Sequence, residues 1–263
     1  MTMLRALWAY RGFIFGSVKR EFQSRYQNSL LGAAWTVLNP LAMIVVYTVI
    51  FSQVMRARLP GVDNTFAYSI YLCAGVLTWG LFADIAGKAQ TVFLENANLL
   101  KKLSFPRMTL PVTVVANALL NFAIVFSLFT VFLLVTGTFP GLVFIALVPV
   151  LALLVLFAIG LGVTLGILNV FFRDVGQFFN IFLQFWFWLT PIVYPANILP
   201  EHAARYMGLN PMSRIVGAFQ EVLVHARWPD WWRLWPVLVL AVLLCALGLR
   251  LFRRHSGELV DEL

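Results

Sequence analysis

In the stretch GILNVFFRDVGQFFN, residues 166–180, Arg173 and Asp174 stand side by side between two long apolar runs. An adjacent cation and carboxylate can dock a partner by charge, lock against another helix, or simply mark where the chain reaches water and turns. Little else in the chain has the makings of a reactive centre. Cys73 and Cys245 both fall inside apolar runs, with no His or Cys neighbour at ligand spacing, so neither a metal site nor a structural disulfide is expected. The phosphate-cradling pattern G-x-x-x-x-G-K-[ST] does not occur: Gly87–Lys88 is followed by Ala89 and lacks the leading glycine. No catalytic residue, no metal ligand and no cofactor bound by this chain are assigned.

The elements that must position Arg173 and Asp174 follow from composition. Of 263 residues, 61% are hydrophobic and 11% charged, with mean hydropathy +0.87. A soluble domain carries about 25% charged residues, and this chain lacks that polar coat. Its apolar runs also exceed the roughly 18 residues that mark a membrane span. The expected fold is an all-α integral membrane protein, one transmembrane domain over residues 1–263. The net charge of +8 sits between the apolar runs, the pattern of cytoplasmic loops and not of a nucleic-acid surface. The N-terminus is not a signal peptide, because Arg11 interrupts its apolar stretch and no cleavage site follows.

Six spans are read, at 33–55, 66–87, 108–136, 142–171, 175–195 and 234–252. With the N-terminus placed in the cytoplasm, thirteen Lys and Arg fall inside and six outside, which supports both termini inside. On this topology Arg173–Asp174 is the whole inner turn between the fourth and fifth spans. Asp84 is the sole acid within a span, near its inner end with Lys88 one turn on. An ion-coupled transporter usually keeps an ionisable group at mid-membrane, so a secondary transporter is disfavoured, as is the inverted-repeat plan, since no internal repeat is visible.

Residues 8–29 read as an amphipathic helix lying in the cytoplasmic interface, with Trp8, Phe15, Val18, Phe22 and Tyr26 on one face and Lys19 and Arg25 flanking them. The ragged start of the first span is the other reading. The fifth span carries Gln177, Asn180, Gln184 and Trp188 at helical spacing. Amides facing lipid would be unsatisfied, so this face should meet protein, water or a transported molecule. Trp35, Asn39 and Tyr47 mark the first span in the same way. Thr113, Asn117 and Asn121 in the third span, and Gly162 and Gly166 in the fourth, read as helix-to-helix contacts. Residues 196–233 are too broken for a span and too apolar for a free loop.

RDVGQFF at 173–179 followed by FWFWLTPIVYP at 185–195 resembles the signature of membrane-spanning permease subunits of polysaccharide ABC exporters. These subunits belong to the type-2 ABC exporter class and move O-antigen, capsule or teichoic-acid chains. KREFQSRYQNSLLGAAWTVLNPL at 19–41, NANLLKKLSFPR at 96–107 and LNPMSRIV at 209–216 extend the resemblance along nearly the whole chain. It implies a channel-forming subunit in the bacterial inner membrane that pairs with a second copy of itself. Two ATP-binding cassette subunits would carry the ATP and Mg, and the cargo would be a polysaccharide on a polyprenyl diphosphate. Residues 92–103 resemble the coupling helix, with Glu95, Leu99, Leu100, Lys101 and Lys102 as its ATPase contacts and Arg173 and Asp174 as further ones; an ordinary lysine-rich loop is the alternative. Because the family surrounds its channel with spans one and five, Trp35, Asn39, Tyr47, Gln177, Asn180, Gln184 and Trp188 become channel-lining candidates, against a rival role in bonding helices together. Lys19, Arg20 and Arg25 become candidates for the lipid diphosphate, against bulk anionic lipid. Residues 196–233 resemble a pair of short re-entrant outer helices. One departure is that Phe219, Gln220 and Glu221 stand where the family often has an arginine. A type-2 permease for a drug or simple lipid, and a membrane scaffold, are the alternative functions.

Overall fold

The structure, a computed structural model, describes residues 10–26, 34–50, 59, 65–102, 107–195, 200, 202, 206–255 and 257. Among them are nine α-helices and no strand: α1 Arg11–Tyr26, α2 Trp35–Tyr47, α3 Ala67–Glu95, α4 Ala97–Lys102, α5 Thr109–Val135, α6 Leu147–Phe171, α7 Asp174–Trp188, α8 Pro211–His225 and α9 Trp231–His255. The 3-10 segment Gly141–Ala146 leads into α6. Four stretches are long and apolar enough to cross a membrane: α3, α5, Gly141–Phe171 and α9. The apolar helix at Val37–Ile50 is shorter, and α7 has 15 residues, or about 22 Å at 1.5 Å per residue. The chain is a multi-pass membrane protein.

Helix boundaries follow local chemistry. Gly137, at φ 69°, lets the chain leave α5 in a left-handed turn. Asn96 ends α3, its side-chain amide donating to the Val92 carbonyl at 2.8 Å, while its own carbonyl accepts from the amides of Leu99 and Leu100 and starts α4. The expected second span, 66–87, therefore continues as helix to Glu95, and the expected coupling helix at 92–103 is cut in two. α7 stops at Trp188, seven residues before the expected end of the fifth span at 195. Pro191 disfavours helix at Thr190, and residues 189–195 follow without helix.

At the centre lies α3, whose neighbours are α2, α5, α6, α7 and α8. It meets α6 across a seam of small residues. A Cβ on Gly162 would lie 2.6 Å from the Ala89 Cβ, and one on Gly166 would lie 2.6 Å from the Ala89 carbonyl oxygen. On α6 Gly160 gives the same freedom to α9, where a Cβ would meet Cys245 at 2.8 Å. Lipid tails are as apolar as these side chains, so helix association rests on close van der Waals contact and hydrogen bonds. Both cysteines pack as small side chains: Cys73 is buried, and the Cys245 thiol donates to the Leu156 carbonyl at 3.3 Å. Phe82, Phe157, Trp79 and Trp186 build an aromatic cluster joining α3, α6 and α7, with Phe82 and Phe157 stacked at 5.7 Å.

Replacing Gly162 by Leu should therefore destabilise the chain by at least about 1–3 kcal/mol, the usual penalty of overpacking. Gly80 has open space around it, so Gly80→Ala should be neutral or stabilising by up to about 1 kcal/mol. Thermal unfolding of the two purified variants in detergent checks the contrast.

Candidate functional site

The turn between α6 and α7 is held by a chain of amides. Asn169 is buried near the end of α6, and its Nδ2 donates to the Gln90 backbone carbonyl of α3 at 3.0 Å. Its Oδ1 accepts from the Gly176 backbone N–H in the first turns of α7 at 2.9 Å. The buried Gln90 then donates through Nε2 to the Asn180 Oδ1 at 2.7 Å. A Cβ on Gly176 would fall 2.7 Å from the Asn169 amide, which explains the glycine of RDVGQ. Arg173 and Asp174 are both exposed below this clasp. Asp174 occupies the first turn of α7, where a carboxylate is favoured by the N-terminal dipole.

A second polar cluster docks α1. The Lys88 ammonium lies 2.8 Å from Asp84 and 3.8 Å from Glu21. Glu21 also accepts a hydrogen bond from Asn117 of α5. Asn117 thus ties helices together, whereas Thr113 bonds back to Thr109 on its own helix. The helix read as lying in the cytoplasmic interface is tied to α3 and α5 through the Glu21 carboxylate.

At the other end of α7 the irregular backbone that follows it is satisfied by protein. The Tyr68 hydroxyl donates to the Val193 carbonyl at 2.6 Å, and the Tyr71 hydroxyl reaches the Pro191 and Tyr194 carbonyls, each at 3.0 Å. Buried Gln220 of α8 donates to the Tyr71 and Pro191 carbonyls at 3.4 and 3.3 Å. Gly75 leaves room for this approach, since a Cβ there would sit 3.1 Å from both Gln220 and Ile192. Asn210 completes the cluster. Its Oδ1 accepts from the Met212 backbone N–H, capping α8, and from the Trp186 Nε1 at 2.8 Å; its Nδ2 donates to the Leu189 carbonyl and the Thr190 hydroxyl. Pro211 takes the first helical position, where its missing N–H is no loss. One face of α8 is buried against α3, α6 and α9, so this part of 196–233 belongs to the packed core.

The seven channel candidates divide. Gln177, Gln184 and Trp188 lie on the exposed face of α7, and Trp188 is 63% exposed. Asn180 is exposed too, but its carbonyl oxygen is engaged by Gln90, which is the rival helix-bonding role. On α2, Trp35 and Asn39 are exposed and Tyr47 is half-buried. α2 packs on α5 and α3, and α7 on α6 and α3, so within one chain the two groups share α3 as a neighbour.

The coupling candidates differ in burial. Leu100 is buried against Ala89, Phe93 and Leu110, and Leu99 is half-buried on the same cluster. They anchor α4 to its own chain. Glu95, which ends α3, and Lys101 are exposed; the Lys102 side chain lies outside the described residues. Lys19 and Arg20 are exposed on α1, with Arg20 donating to the Ser17 hydroxyl at 3.1 Å, and the Arg25 side chain lies outside the described residues.

The ABC-2 type transporter family model matches residues 14–224, from α1 to the end of α8. The chain belongs to that family. Among curated relatives of this ABC-2 transporter chain is the O-antigen export system permease protein RfbA of Myxococcus xanthus, 31% identical over 266 residues and 100% of both chains. A permease of the same name from Klebsiella pneumoniae is 31% identical over 207 residues, 78% of each chain. The polysialic acid transport protein KpsM of Escherichia coli is 22% identical over 248 residues, 92% of this chain and 93% of that one. The transporter's family-matched region contains all three polar clusters and ends before α9.

Asn169, Gln90, Glu21, Asn210 and Trp186 were missed from sequence. Asn210 carries a readable signal, an Asn before Pro at a helix start, and Asn169 is a lone amide in an apolar helix. Gly176→Ala should destabilise the chain by about 1–3 kcal/mol, and Asn169→Leu by a similar amount, since it strands a buried N–H and a buried carbonyl. Exposed Arg173→Ala should stay within about 0.5 kcal/mol. Melting curves of the three variants in one detergent compare them directly.

Proposed function

We propose that this chain is the channel-forming permease subunit of an ATP-driven exporter that moves a polyprenyl-diphosphate-linked polysaccharide, O-antigen by preference, across the bacterial inner membrane to its outer side. The observation that carries the reading is its end-to-end likeness to an O-antigen export permease. On this reading the chain crosses the membrane six times with both termini cytoplasmic. It works as a pair, with two ATP-binding cassette subunits that hold the ATP and Mg.

The exposed face of α7 favours this assignment for the channel. Gln177 and Gln184 present amides beside Trp188 on a helix too greasy for water and too polar for lipid. Paired with a second copy, such a face offers a polymer broad aromatic contact and few fixed hydrogen bonds, so it binds and releases. Trp35 and Asn39 serve the same path from α2, with Tyr47 deeper along it; Asn180 contributes from its hydrogen-bonded position. Lys19, Arg20 and Arg25 attract the lipid diphosphate from the cytoplasmic interface. Glu95 and the cations Lys101 and Lys102 orient the ATPase on α4, with Arg173 and Asp174 as a second contact, while Leu99 and Leu100 transmit the push into the core.

Trp35→Ala and Trp188→Ala should each lower surface polymer while leaving assembly with the ATPase intact. Polymer at the wild-type level in both variants removes the channel assignment. Reversing Lys101 and Lys102 to Glu should weaken ATPase co-purification by roughly tenfold, about 1.4 kcal/mol, without lowering the melting temperature. Unchanged co-purification dismisses the docking role.

A further inference from the structure

A cleft of about 990 Å³ opens between α8, the start of α9 and the segment after α7, within the size range of small-molecule sites. None of the channel candidates lines it. Its wall combines Trp228 and Trp232, which are 59% and 82% exposed, with Arg214, Glu221 and Asp230. Two of the charged groups are held in place. Arg214 donates to the Gly208 carbonyl at 2.8 Å and to the Arg233 carbonyl at 3.0 Å. Asp230 accepts from the Trp232 backbone N–H at 3.0 Å and pairs with Arg233 at 3.1 Å. Ser213, also in the wall, has a buried hydroxyl with no partner among the described residues.

Tryptophan at a helix end is ordinarily an interfacial anchor. The four tryptophans of WPDWWRLW split into two sets. Trp231 and Trp235 head an exposed stripe that continues through Leu238 and Val242, the pattern of a lipid-facing edge. Trp228 and Trp232 instead line the cleft among charged side chains, which hydrocarbon would not tolerate. The cleft's charges nearly balance, with Arg214, Arg227 and Arg233 against Glu221 and Asp230. Broad aromatic faces beside fixed, balanced hydrogen-bonding groups suit a ligand with apolar C–H faces and many hydroxyls, and suit a phosphate headgroup poorly.

We propose that this cleft is a glycan-binding site on the outer face, separate from the channel, that receives a short stretch of the polysaccharide as it leaves. The inference rests on the export reading above and deepens it.

The test titrates the full chain in phosphatidylcholine nanodiscs with the host's own surface polysaccharide, released from its lipid by mild acid. The wild type should bind. The Trp228→Ala/Trp232→Ala double variant should bind at least about tenfold more weakly, and Trp231→Ala/Trp235→Ala should match the wild type. Radical footprinting of the wild type gives a reading that needs no variant: polysaccharide should protect Trp228 and Trp232 and leave Trp231 and Trp235 unchanged. Absence of binding, equal loss in both double variants, or absence of that protection overturns the proposal. Loss of binding in phosphatidylglycerol nanodiscs also overturns it, by showing that a lipid headgroup takes the cleft. Deleting the chain separates the two readings. Surface polymer that persists without it sinks export itself, whereas polymer that needs the chain but not Trp228 and Trp232 sinks only the cleft.

Discussion

The rest of the structure depends on how closely α6 can approach α3. At Gly162 and Gly166 the two backbones come near enough that a single methyl would collide with Ala89. Only at that separation can the short Asn169 side chain reach the Gln90 carbonyl across the seam. The same side chain then turns back to accept from Gly176, which sets where α7 begins and which way it leaves. Three glycines and two amides thus fix the junction of three helices. In lipid, where apolar contact alone does not favour one helix partner over another, this combination of small residues and satisfied amides is what gives the junction a single geometry.

The outer end meets the opposite problem, because α7 stops early and seven residues follow without helix. Carbonyl groups released in this way need partners if water is excluded. Tyr68 and Tyr71 supply hydroxyl donors from the first turns of α3, Gln220 supplies an amide from α8, and Asn210 ties the end of α7 to the start of α8. A neutral amide that donates to two carbonyls fits a buried position without the expense of burying a charge.

The long helices were legible because continuous apolar runs are a strong signal, and the glycine pair in α6 was legible because small residues four apart form one stripe. The end of α7 was not, since LTPIVYP is as apolar as the helix before it and only Pro191 hints at the break. The burial of Leu100 is not legible for a related reason: it stands beside two lysines, yet six helical residues placed after the Asn96 bend carry it into the cluster that holds Phe93 and Leu110. Helical spacing puts Trp188 on the face of Gln177 and Gln184 and says nothing of Trp186. Nothing in FWFW says which ring finds the core, because the choice is made by Asn210, more than twenty residues later. Glu21 was hidden among basic neighbours, and its role shows only when Lys88 and Asn117 are brought beside it.

α3 links all three polar clusters, and its continuity has a mechanical consequence. It is one helix of 29 residues, about 43 Å at 1.5 Å per residue, with Tyr68 and Tyr71 at its outer end, Gln90 at the clasp and Asn96 at its inner end. Beyond Asn96, Leu100 ties α4 to the same packed cluster as Ala89 and Phe93. A push on α4 is therefore not absorbed in a loose loop. It reaches a stiff rod whose hydrogen bonds hold the start of α7 at one end and the irregular segment after α7 at the other. α7 itself contacts the core through few buried side chains, chiefly Phe179 and Trp186, and so has little packing of its own to resist such a displacement. If, as proposed, an ATPase pushes on α4, α7 can follow α3, and its exposed face is the one proposed for the polymer path.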